Sequence, residues 1–346
     1  MAATPPAPVP TAPPVDLRSD TVTRPTAAMR QAMAGAEVGD DGFGDDPTVD
    51  RLQRRFAELT GKDAALFVPS GTMANQIALR TLAPAGSLVV AGRRQHVVTH
   101  EGGGFGVNQV AQLHLVDDDD GTLDPAEIAH LAAGVVHGWP APAVVCAEDT
   151  HLAAGGRPWP LDRLVAVAGA GVPMHLDGAR LFNAAVATGT SVAQRSAPAT
   201  TVTACLSKGL GAPVGSLLAG PADLIARARL ERKRLGGGMR QVGILAAAGL
   251  VALDTMVDRL ADDHRRAQRL AEVVADRWPD AGCDPAEVHT NVVLFRHDDP
   301  VKLLAALAER GVGAVTLGPG IARLATGIDE LDRVLAVAVA ALQDAP

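Results

Sequence analysis

Tyrosine is missing from this 346-residue chain, and aromatic residues make up only 3% of it. Phenol acid–base chemistry is therefore excluded, and a flat ligand would have to stack on histidine or phenylalanine. Cysteine is scarce as well: Cys146, Cys205 and Cys283 lie far apart, an odd number with no Cys-x-x-Cys pair. That argues against a disulfide framework and a structural zinc site, and a reducing cytoplasm is the expected location. No apolar run approaches the roughly 20 residues that span a bilayer, and the N-terminus has neither the basic cluster nor the apolar stretch of a signal peptide. Nor is there a basic block. With 31 basic against 39 acidic residues and a net charge of −8, nucleic acid and anionic membrane surfaces are not expected partners. Small anionic ligands would have to be caught by individual arginines.

What is present is core: 47% of the residues are hydrophobic, enough for a large domain and a second one. Residues 1–15 are alanine, proline and threonine with little else and read as a flexible tail. From 16 to about 250, short apolar strands alternate with amphipathic helices, which indicates an α/β domain with a mainly parallel sheet covered on both faces. Residues 251–346 read as a smaller C-terminal α/β domain, after a segment from about 241 to 278 that reads as helix throughout. Asp46-Pro47 predicts a helix start and Gly61 its stop. The acidic loop Asp40-Asp-Gly-Phe-Gly-Asp-Asp46 lacks the spacing of a calcium-binding EF-hand, so turn and capping roles are expected and no metal site is read.

In a parallel sheet the carboxyl ends of the strands collect ligands. The polar clusters fall there: Gln95-His96 with His100-Glu101 behind it, Glu148-Asp-Thr-His151, and His175-Leu-Asp177-Gly-Ala-Arg180. Strand Ala65–Val68 feeds Ser70-Gly71-Thr72 at a helix start, where free N–H groups and a hydroxyl suit a phosphate, although serine and threonine also begin helices as ordinary caps. The stretch Thr203-Val-Thr-Ala-Cys-Leu-Ser207-Lys208-Gly-Leu-Gly-Ala-Pro-Val-Gly-Ser216 reads as strand, tight loop and strand. A lysine there is either a plain surface turn or a desolvated amine fit for imine chemistry. Asp177, at the end of a buried strand, favours the second reading. A lysine and an aspartate that share a cleft without simply neutralising each other suit a cationic heterocycle between them, and pyridoxal phosphate has that chemistry. Arg323, in the apolar context Ile321-Ala-Arg-Leu-Ala325, is either paired or waiting for a carboxylate.

The segments DLRSDTVTRPT, VGDDGFGDDPTV, ALFVPSGTMANQIAL, QHVVTHEGGG, MHLDGARLFNA, CLSKGLGAPVGSLLAG and GGGMRQVGILAAAG, spread from residue 16 to about 248, together resemble the L-threonine aldolases, fold-type-I pyridoxal-phosphate enzymes. The resemblance implies retro-aldol cleavage of threonine, allo-threonine and related β-hydroxy-α-amino acids to glycine and an aldehyde, with another fold-type-I activity such as β-elimination or serine hydroxymethyl transfer as the alternative. By the same resemblance Lys208 carries the cofactor as an imine and Asp177 binds its ring nitrogen. Ser70, Gly71, Thr72, Ser207 and Arg240 surround the phosphate, the last by reaching from a neighbouring subunit of a homo-oligomer, dimer or tetramer. His96 lies against the ring, Arg180 lies beside the cofactor, and Ser19, Arg180 and Arg323 hold the substrate carboxylate. The proton on the β-hydroxyl would go to His96, His137, His100 or a water held by Glu101. Three positions depart from the family pattern, Phe43, His100 and Asp149, and all three bear on preference for the β-substituent.

Overall fold

The computed structural model describes residues 13–134, 138–327 and 331–345. Its centre is a seven-stranded sheet formed by β1 (Ala64–Val68), β2 (Leu88–Gly92), β3 (Gln112–Val116), β4 (Pro142–Glu148), β5 (Met174–Asp177), β6 (Thr201–Cys205) and β7 (Ser216–Gly220). The order across the sheet is β1-β7-β6-β5-β4-β2-β3, with β7 antiparallel to both neighbours and the other contacts parallel. The alternating strand and helix pattern is thus what was expected. Strands β5 to β7 are buried along their whole length, as near-continuous runs such as Thr-Val-Thr-Ala-Cys require when helices cover both faces.

Local chemistry accounts for the element ends. Asp46 caps the helix Pro47–Thr60 by accepting the Thr48 and Val49 amides at 3.1 Å, and Gly61 ends it in the left-handed conformation at φ 66°. The helix Gly71–Leu82 starts at Ser70, whose hydroxyl accepts the Met73 N–H at 3.2 Å. The segment expected as one helix from 241 to 278 is instead two, Gly243–Thr255 and Leu260–Arg277. No glycine or proline marks the break; Val257 and Leu260 turn back into the core there.

A second core gathers around the antiparallel sheet β8 (Val292–Arg296), β9 (Val315–Gly318) and β10 (Ile321–Ala325), packed by the helices Leu260–Arg277 and Pro300–Glu309. The N-terminal segment crosses to it: Val15, assigned to the flexible tail by composition, is buried and pairs in parallel with Val312, and Leu17 joins the same core. Among the described residues no helix is long and apolar enough to cross a membrane.

Candidate active site

The parallel strands deliver their carboxyl ends to one side of the sheet, and a cleft of about 140 Å³ opens there. Pro69, Ser70, Gly71, Thr72, Asn75, His96, Asp177, Ala179, Cys205, Ser207 and Lys208 line it. A larger cavity of about 390 Å³ lies beside β8 and Cys283, but it holds none of the expected groups. The chemistry therefore places the site in the smaller one.

Lys208 follows β6 on a loop fastened from several sides. Its carbonyl accepts the Thr23 hydroxyl at 2.9 Å and the Gly211 N–H at 2.8 Å, while Arg259 Nη1 donates to the Gly209 carbonyl at 2.9 Å. The main chain is fixed and the amine is not: among the described residues Lys208 Nζ has no hydrogen bond or ion pair. An unpaired amine on a rigid loop beside a buried carboxylate is the arrangement a covalent attachment needs.

Asp177 ends β5 and is buried. Its Oδ2 accepts Asn75 Nδ2 at 2.7 Å and its Oδ1 accepts the Ala179 N–H at 3.0 Å. Burial pushes its proton affinity up, but the charges of His96, Lys208 and His175 and the Asn75 hydrogen bond outweigh that and hold the carboxyl below its ordinary range. It stays ionised without any cation in direct contact. His175, one turn of the strand pattern earlier, is kept neutral: burial lowers it to about 4, its Nε2 meets Asn75 Oδ1 at 3.1 Å and its Nδ1 meets the Thr201 hydroxyl at 2.9 Å.

His96 follows β2 and is fixed by both its backbone and its ring. Its amide donates to Glu148 Oε2 at 2.5 Å and its Nδ1 lies 3.1 Å from Glu101 Oε1. Burial lowers its basicity, yet the Glu101 hydrogen bond and the Asp177 charge raise it above the ordinary imidazole range overall. His100 stacks on it with ring centroids 5.7 Å apart, and burial together with the His96 and Arg323 charges lowers its basicity. Glu101 itself is buried, and Asn75 at 2.8 Å and Gln76 at 2.6 Å both donate to it.

The expected carboxylate group is partly assembled. Arg180 makes a two-pronged pair with Asp20, Nε to Oδ2 at 2.6 Å and Nη2 to Oδ1 at 2.8 Å, so Nη1 is left for a ligand. Arg323 Nη2 donates to the Arg18 carbonyl at 2.7 Å, and its Nε is buried without a partner among the described residues. Burial and the Arg180 charge lower its pKa, against the opposing pull of Asp20, so the two guanidinium groups and Asp20 share one neighbourhood. Ser19 sits at the same segment, its hydroxyl accepting the Thr21 N–H at 3.2 Å.

Other expectations are placed less simply. Arg240 is not in the cleft of its own chain; its side chain is 66% exposed beside Asp40. Phe43, on the same acidic loop, is 84% exposed. His137 lies outside the described residues. Asp149, a departure thought to bear on substrate choice, points away from the cleft: Arg195 Nε meets its Oδ2 at 2.6 Å and the Trp159 N–H donates to its Oδ1 at 3.1 Å. Its role is to neutralise a buried arginine. Asn75 and Asp20, the residues that organise Asp177 and Arg180, were not singled out from the sequence; both stand inside motifs, but nothing in spacing distinguishes them.

Residues 16–298 match the family described as Beta-eliminating lyase. The chain is 43% identical over 302 residues to low-specificity L-threonine aldolase 1 of Arabidopsis thaliana, covering 84% of this chain and 83% of the relative. It is 41% identical over 323 residues to the low specificity L-threonine aldolase of Escherichia coli (strain K12), covering 91% and 94%. The solved structure of Leishmania major threonine aldolase superposes with a TM-score of 0.80 at 20% identity over 95% of this chain and 99% of that one. That likeness establishes the fold-type-I α/β architecture. The chain belongs to the β-eliminating lyase family, together with the low-specificity L-threonine aldolases it matches over most of its length.

Proposed function

We propose that the chain is a pyridoxal-phosphate-dependent aldehyde-lyase that cleaves L-threonine, L-allo-threonine and related β-hydroxy-α-amino acids to glycine and an aldehyde, and runs the addition of glycine in reverse. The observation that carries this reading is the pairing in one cleft of a partnerless lysine amine and a buried, ionised aspartate, Lys208 and Asp177. The cleft fits the cofactor at its other end too. A Cβ on Gly71 would come within 2.8 Å of Cys205 Sγ, so only glycine lets the helix start approach this closely, and the Gly71 and Thr72 amides are free to face a phosphate.

Bound pyridoxal phosphate supplies an electron sink for the pair released when the Cα–Cβ bond breaks. Lys208 would hold its aldehyde carbon, and Asp177 would keep a proton on the ring nitrogen. His96, held at Nδ1 by Glu101, would present its ring face. Arg180 Nη1 and Arg323 Nε would take the substrate carboxylate between them, which fixes the α-carbon relative to Lys208. Of the two candidate histidines that lie among the described residues, His100 binds a proton less tightly than ordinary imidazole and His96 more tightly. Stacked on His96, His100 is the ring this reading assigns to take the β-hydroxyl proton.

Lys208 is the one cationic side chain that lines the cleft besides His96. A phosphate dianion at Ser70, Gly71, Thr72 and Ser207 calls for a further cation, and the exposed Arg240 would supply it from a second copy of the chain. The function reading is tested by borohydride reduction of the purified holoprotein followed by peptide mapping, and by incubation with threonine. Attachment at Lys208 and release of acetaldehyde with glycine, without folate or a keto acid, are expected; an adduct elsewhere would overturn the scheme.

A further inference from the structure

Asn75 stands on the second turn of the helix Gly71–Leu82, buried, with all four of its hydrogen-bonding positions used. Nδ2 donates one hydrogen to Asp177 Oδ2 at 2.7 Å and the other to Glu101 Oε1 at 2.8 Å. Oδ1 accepts from His175 Nε2 at 3.1 Å and from the Thr203 hydroxyl at 3.4 Å. The amide is thereby orientated without ambiguity. The oxygen faces two donors, and a neutral His175 with its proton on Nε2 leaves Nδ1 to accept from Thr201. Two buried carboxylates are thus bridged by one neutral amide, and Glu101 passes the contact on to His96 at 3.1 Å.

We propose that Asn75 is a positioning residue: by dividing its amide hydrogens between Asp177 and Glu101, it aims the Asp177 carboxylate at the cofactor's ring nitrogen and ties it to the His96–Glu101 pair over the ring. The inference rests on the reading of the cleft as a pyridoxal-phosphate site. Charge balance explains why an amide is needed. His96, Glu101, Glu148, His175 and Lys208 all face Asp177 from the surrounding elements, and Asp177, Glu101 and Glu148 are three carboxyls in one buried region. An arginine in place of Asn75 would neutralise the carboxylate that must pair with the ring. An apolar residue would take a buried donor away from both Asp177 and Glu101. A neutral double donor satisfies both carboxyl groups and leaves the charge of Asp177 free to pair with the ring.

The test uses Asn75→Asp, nearly isosteric and keeping an acceptor toward Thr203 while losing both donors, and Asn75→Ala. Three readouts are compared with the parent protein: the affinity of the apoprotein for pyridoxal phosphate by calorimetry, the pH midpoint of the cofactor's visible absorbance band, and thermal stability with and without cofactor. We expect both variants to bind pyridoxal phosphate about tenfold more weakly and to move the absorbance midpoint by about one pH unit, from loss of the hydrogen bonds that favour ionised Asp177. A Gln76→Leu variant removes a donor to Glu101 that does not touch Asp177 and should leave the midpoint within about 0.3 units of the parent. If both Asn75 variants fold, bind the cofactor and titrate as the parent does, Asn75 is merely structural and the inference is overturned. Should Asn75→Ala fail to fold, Asn75→Asp alone decides. Failure of the parent protein itself to bind pyridoxal phosphate would overturn the reading of the site instead.

Discussion

Two aspartates one strand apart are both buried at the carboxyl edge of the same sheet, and their surroundings differ in a way that separates structure from chemistry. Asp149, just after β4, meets the Arg195 guanidinium at 2.6 Å with both side chains fully buried, so its charge is cancelled in place. Asp177, at the end of β5, is given an asparagine and a backbone N–H, with the charges of His96 and Lys208 nearby but in no ion pair with it among the described residues. The first is a closed pair. The second is ionised and only partly compensated, and the missing positive charge is what a protonated ring would bring. A buried carboxylate is thus better judged by what its neighbours leave undone than by its burial.

The strongest way to break this contrast is at the functional end. Lys208→Ala should lower turnover of threonine by at least about 10³-fold while the protein folds normally, checked by acetaldehyde release and circular dichroism. Asp149→Ala is the structural counterpart. It strands Arg195 in the core and should cost about 3–5 kcal/mol in a urea titration, while cofactor affinity in the folded fraction stays near the parent value; a large loss of affinity at unchanged stability would erase the distinction.

The His175 contact with Asn75 predicts a pH effect of intermediate size. Unfolded, this histidine takes up its proton near 6.5, whereas burial holds the folded form to about 4. Between those values the unfolded chain binds more protons, so stability falls as the pH drops through that window, by about 3 kcal/mol in all. Half-buried His264, also held to about 4, acts in the same direction, while Asp263, raised to about 6, opposes them both. His175→Gln should therefore flatten the slope between pH 6.5 and 4 without abolishing it, as read from denaturation midpoints. The smallest effect is expected at the surface. Arg240→Ala breaks an exposed contact with Asp40 and should change monomer stability by less than about 0.5 kcal/mol. If Arg240 serves a second copy's phosphate, the same change weakens cofactor binding, and mixing it with a Lys208→Ala chain restores part of the activity.

The lysine loop was legible in the sequence because strands announce themselves as β-branched runs and loops as glycine and proline, so Lys208 could be put between β6 and β7 without coordinates. Asp177 followed from the same logic, and Asp46-Pro47 with Gly61 marked a helix by local chemistry alone. The centre of the site was not legible. Asn75 lies within Met73-Ala-Asn-Gln, an unremarkable helical string, and acquires its role only when β5 and β6, a hundred residues or more away in sequence, pack against that helix. The resemblance puts Arg180 at the substrate carboxylate, but nothing local reveals its partner Asp20, which reaches it from near the N-terminus. The break between Thr255 and Leu260 was missed for a similar reason: it is imposed by packing, with no breaker residue to signal it.

The reversed strand β7 has a consequence for how the molecule comes into being. Strand β1 pairs with β7 and with nothing else in the sheet, so it emerges during synthesis roughly 150 residues ahead of its only neighbour. At ordinary translation rates that is a wait on the order of ten seconds. For that whole interval Ala-Leu-Phe-Val has no strand partner, and the helix Pro47–Thr60, made just before it, covers one face. The loop that carries Lys208 is what ends the wait, because turning the chain back at that loop delivers β7 to β1.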